Sequence, residues 1–81
     1  SPKKGYILDF SRVPFVDYSA AHSLLGFAHK ASRHGGLVYV TGASESVKRD
    51  MTRFGLKAPL VHFGSSIESC AAAIHKSKGG A

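Results

Sequence analysis

Eighty-one residues, 43% of them apolar, are enough for one small globular domain and no more. The lone cysteine, Cys70, excludes an internal disulfide framework and fits a reducing compartment, and no apolar run approaches the roughly 18 residues of a membrane span. The formal net charge of +6 admits anionic partners, but the basic residues are dispersed and lack the aromatic ladder of a single-strand binder, so no nucleic-acid partner is expected. The opening SPKKGYILDF is too short and too broken in its apolar part to act as a signal peptide.

Tyr6 to Phe10 reads as a first strand, mostly apolar and flanked by Gly5 and Ser11. Val13 to Val16 is a short extended piece, because Pro14 biases Val13 away from helix. From Tyr18 to about His34 the period becomes helical, with Ala21, Leu24, Leu25, Ala28 and Ala31 on one stripe, and Gly35-Gly36 ends it. Leu37 to Thr41 is a second strand rich in β-branched residues. Gly42-Ala43-Ser44 turns the chain, and Ser44 or Ser46 caps a helix running to about Phe54, with Val47, Met51 and Phe54 as its apolar positions. A third strand covers Leu60 to Phe63, and Ser65 or Ser66 caps a last helix. Ser65 and Glu68 have capping-box spacing, and Ile67, Cys70, Ala71 and Ile74 form the expected buried stripe. The tail over 76–81, KSKGGA, is expected to fray.

Strand and helix thus alternate three times, which implies an α/β domain with parallel strands and right-handed crossovers. In such units ligands collect beside the carboxyl ends of strands, at helix starts. Asp17-Tyr18-Ser19 lies at one such place, and Thr41, Gly42 and Ser44 belong to the same edge of the sheet. Asp and Ser are also the commonest helix caps, so a capping role and a site role coexist at this junction. Ser19, a hydroxyl on the first helical turn, is a candidate phosphoacceptor.

Other constellations are weaker. His22 and His29 are seven residues apart, too far to share an ion without further ligands, and there is no HExxH or Cys/His cluster, so no metal site is expected. No nucleophile elbow or glycine-rich nucleotide loop appears, so neither a cofactor nor catalysis is expected. Cys70 falls on an apolar stripe and reads as core. Asp9, in mid-strand, either points to the sheet face away from the helices or accepts hydrogen bonds from a neighbouring loop. Lys48, Arg49 and Arg53 lie opposite Val47, Met51 and Phe54; they form either a solvated face or a basic docking face for an acidic surface or anionic lipid.

YILDFSRVPFVDYSAAHSLLGFA resembles the core of a STAS domain, the module shared by SulP-type sulfate transporters and bacterial anti-sigma factor antagonists. Gly35-Gly36, Gly42-Ala43-Ser44, Gly55-Leu56 and the start Ser65-Ser66-Ile67-Glu68 follow in the family's order, so the resemblance spans Gly5 to about His75. It implies a STAS-like α/β fold with helices packed on one face, lacking the two strands that open a full domain. An uncovered sheet edge of that kind favours poor stability or self-association. In the antagonists a phosphorylated serine follows the motif aspartate; here that position is Tyr18, with Ser19 one place later and Ala20 where glycine is usual. The departure favours the transporter branch. The resemblance then implies a non-enzymatic regulatory and assembly domain on the cytoplasmic side of a membrane. Its partners would be its own transporter membrane domain and a second STAS domain in a dimer. The alternative is a soluble antagonist acting as a protein–protein switch.

Overall fold

The computed structural model describes residues 4–79. Strand β1 spans Gly5–Asp9, helix α1 Tyr18–Arg33, β2 Leu37–Thr41, α2 Glu45–Arg53, β3 His62–Gly64 and α3 Ile67–Gly79. The three strands pair in parallel in the order β1-β2-β3. Gly5 is registered with Leu37, Asp9 with Thr41, and Tyr39 with His62. The α/β alternation expected from the sequence is therefore the observed architecture.

Side chains alternate between the two faces along each strand. Tyr6, Leu8, Val38, Val40 and Phe63 share one face and join the main core with Ala21, Ala28 and Ala31 of α1 and Val47 and Met51 of α2. Leu56 and Val61, in the link from α2 to β3, complete that core at 1% and 2% exposure. The alternate positions face the other way, and there α3 packs. A Cβ added to Gly5 would strike Ile74, and one added to Gly64 would strike the Cys70 sulfur. The helices are thus not all on one face, as the family resemblance had implied. Two strand glycines leave notches that let α3 lie close on the second face, so both faces of the sheet are covered.

That placement also corrects the expected stripe of α3. Cys70 and Ile74, one turn apart, are buried, whereas Ile67 is 51% exposed and Ala71 is exposed. β3 ends at Gly64 beneath Cys70, so the first turn of α3 has no strand under Ile67. The helix also starts one residue later than a Ser65 cap requires. Ser66 and Ser69 form the reciprocal box: the Ser69 N–H donates to Ser66 Oγ at 3.0 Å, and the Ser66 N–H donates to Ser69 Oγ at 3.1 Å. Ser65 and Glu68 do not make that box. Residues 76–79, part of the tail expected to fray, form the last turn of α3, and residues 80 and 81 lie outside the described residues.

The strand limits shift slightly. Phe10 leaves β1 and turns into the core, while its N–H still donates to the Thr41 carbonyl at 2.8 Å. Val13 to Val16 pairs with no strand; the Val13 N–H closes a turn on the Phe10 carbonyl at 3.0 Å, and Val16 is buried beneath the link. The third strand starts at His62 because Leu60 and Val61 belong to a turn closed by Val61 N–H to the Lys57 carbonyl at 3.0 Å.

Candidate functional site

The carboxyl edge of the sheet carries the residues singled out above. Asp17 is the N-cap of α1, in extended backbone, and its carboxylate accepts the Ala20 N–H at 2.8 Å. Tyr18 opens the helix and is 70% exposed. Its ring meets Phe54, the cap residue at the end of α2, edge-on at 6.1 Å, and stacks on His22 at 6.1 Å. The Arg53 guanidinium lies 5.4 Å from the Phe54 ring, which extends this row of rings by a cation. Ser19 is exposed on the same first turn.

The second helix start is built separately. Ser44, not Ser46, is the N-cap of α2; its hydroxyl accepts the Val47 N–H at 3.2 Å and lies 3.2 Å from the Ser46 hydroxyl. Thr41 is buried at 4% exposure at the end of β2. Gly42 has φ +78°, and a Cβ there would stand 2.9 Å from the Ser11 nitrogen and 3.1 Å from an Asp9 carboxylate oxygen. Only glycine combines that backbone with that proximity.

Ser11 and Asp9 are the members of this edge that sequence reasoning did not assemble. The Asp9 carboxylate accepts the Ser11 N–H at 2.9 Å, so of its two open roles the loop-bonding one is correct. The hydrogen bonds from the Ser11 backbone and side chain hold the Asp9 carboxyl below its ordinary value. The available signal was Asp-Phe-Ser, the spacing at which Asp bonds the backbone two residues on. Asp9, Ser11 and Gly42 therefore form one contact between the β1–α1 and β2–α2 links. Among the described residues, no hydrogen bond joins Asp17 or Ser19 to Thr41, Gly42 or Ser44.

Chemically, this edge presents capped helix starts rather than an open anion cradle. Its carboxylates Asp9 and Asp17 already accept backbone N–H groups, and its exposed features include the outer face of the Tyr18 ring and the Ser19 hydroxyl. Among the described residues no three His, Cys, Asp or Glu side chains converge as metal ligands. The basic residues of α2 are partly neutralised: Lys48 pairs with Glu45 at 2.9 Å and Arg53 with Asp50 at 2.8 Å, leaving Arg49 exposed beside them. The Lys48 pair in turn holds the Glu45 carboxyl below its usual range.

The family model for the STAS domain matches residues 3–70. This chain belongs to the STAS domain family. No curated protein and no solved structure matches it. The matched span of the STAS domain contains the whole carboxyl edge, from Asp9 to Ser44, and ends within α3 at Cys70. Among its described residues no helix is long and apolar enough to cross a membrane.

Proposed function

We propose that this STAS domain is the non-catalytic regulatory and assembly module of a SulP-type sulfate or related anion transporter, working on the cytoplasmic side of the membrane without a cofactor. The observation that carries this reading is Tyr18. In the antagonist branch of the family, the position after the motif aspartate holds a phosphorylatable serine. Here an aromatic ring occupies it and packs on Phe54 and His22. Such a ring suits a standing contact with a partner surface better than a serine-kinase switch. The partners are the transporter's own membrane domain and a second STAS domain.

The test is the coding sequence upstream of Ser1. Several apolar stretches of about 20 residues are the expected result. A short upstream region of polar and strand-like residues alone would overturn the reading. One observation favours the second reading, a soluble anti-sigma factor antagonist: Ser19 is exposed on the first turn of α1, within reach of a kinase. Under that reading Ser19→Asp abolishes binding to a kinase-type anti-sigma factor and Ser19→Ala preserves it.

A further inference from the structure

The acidic side chains gather at one end of the sheet, where Arg12, Lys48 and Arg49 offset part of their charge. Of the five acidic residues, Asp9 closes β1, Asp17 caps α1, and Glu45 and Glu68 stand in the first turns of α2 and α3. All four lie towards the carboxyl end. The fifth, Asp50, is held by Arg53. The amino end gathers cations instead. Lys4 precedes β1, and its carbonyl accepts the Leu37 N–H at the start of β2. Lys30 and Arg33 occupy the last turn of α1. Lys57 lies in the link that feeds β3, and Lys76 follows Ile74, which sits over Gly5. These five side chains are all exposed. The helix dipole accounts for cations at the end of α1. It does not account for Lys4 or Lys57, which lead into strands.

An aromatic pair lies among these cations. The Tyr6 and Phe27 rings meet edge-on at 5.1 Å and help to line an open cleft of about 580 Å³, with Lys4, Lys30 and His34 around it. An amphipathic tyrosine beside an exposed phenylalanine, flanked by lysines, matches the headgroup layer of a bilayer, where such aromatic residues concentrate and polybasic surfaces are attracted. We infer that the amino-terminal edge of the sheet docks on an anionic lipid surface, with Lys4, Lys30, Arg33, Lys57 and Lys76 supplying the attraction. The choice of a bilayer over another polyanion rests on the transporter reading. The basic side of α2, where sequence alone suggested such docking, is the weaker candidate because two of its three cations are ion-paired.

The experiment is sedimentation of the chain with vesicles of phosphatidylcholine alone and of equal parts phosphatidylcholine and phosphatidylserine. Binding is expected only to the anionic vesicles, and it weakens as salt rises. Lys4→Gln, Lys30→Gln and Lys57→Gln together weaken it about 100-fold, at roughly fivefold per lysine. Lys48→Gln, Arg49→Gln and Arg53→Gln remove the same charge from α2 and leave binding within about threefold of the parent. Equal losses in the two triple variants, binding that ignores phosphatidylserine, or tighter binding to duplex DNA at the same salt would each overturn the proposal. None of these results bears on the upstream coding sequence, so this proposal and the transporter reading fail separately.

Discussion

Gly64 of β3 lies directly beneath Cys70 of α3, with no space for a methyl group between them. Gly64→Ala must therefore lift the helix or displace the sulfur. Overpacking of this kind costs about 1–3 kcal/mol. Urea unfolding is expected to show a lower midpoint with an unchanged slope. Adding Cys70→Ala should recover part of the loss in a double-mutant cycle. An unchanged midpoint for Gly64→Ala would mean that α3 is not seated on this notch.

Gly26 is the opposite case. It sits in the middle of α1, and a Cβ there meets nothing within 4 Å. Gly26→Ala is expected to stabilise the domain by about 0.5–1 kcal/mol, because alanine loses less backbone entropy in a helix. Thermal unfolding measures this directly as a higher Tm.

Removing the cap of α1 separates its structural role from any role at a site. Asp17→Ala should cost about 1 kcal/mol, since it frees the Ala20 N–H, whereas Asp17→Asn retains an accepting oxygen and costs little. If Asp17→Asn instead abolishes a partner interaction at unchanged stability, the carboxylate charge itself is read by that partner.

Acid stability follows from Asp9. The Ser11 hydrogen bonds hold its folded pKa below the ordinary 3.8. A depressed carboxyl contributes stability that is fully present above the unfolded value and is lost as pH falls through the folded one. The loss therefore falls below about pH 4, and Asp9→Asn should flatten that part of the stability curve. The parallel contribution of Glu45 depends on the Lys48 ion pair and should fade in high salt. A titration at two ionic strengths distinguishes the two carboxyls.

Cys70 is 1% exposed, and burial pushes its thiol above the ordinary 9.0. The thiolate is the reactive form. Iodoacetamide at pH 8 is accordingly expected to leave the folded chain unlabelled and to modify it promptly in urea.

The elements were legible because local rules govern them. Alternating runs such as Leu37–Thr41 and the alanine-leucine stripe of α1 gave the parallel α/β order, and Asp17 and Ser44 announced their own helices. The placement of α3 was not legible. It depends on which strand positions lack side chains; Gly5 reads locally only as a flank of the first strand, and Gly64 carries no local signal. The apolar stripe of α3 misled because periodicity reports which residues share a side, not how far the sheet extends beneath them; Ile67 lies past its end. At the carboxyl edge the caps were readable one by one. The contact of Asp9 and Ser11 with Gly42 required knowing that two links, some thirty residues apart, meet in register.

Helix α3 crosses from Gly64 at the end of the last strand to Gly5 at the start of the first. During synthesis on a ribosome, β1, β2 and β3 emerge before the element that covers their second face. Until α3 follows, Ile7, Leu37 and Tyr39 stay open to solvent and to other nascent chains. In that interval the apolar second face of the sheet is exposed and prone to aggregation.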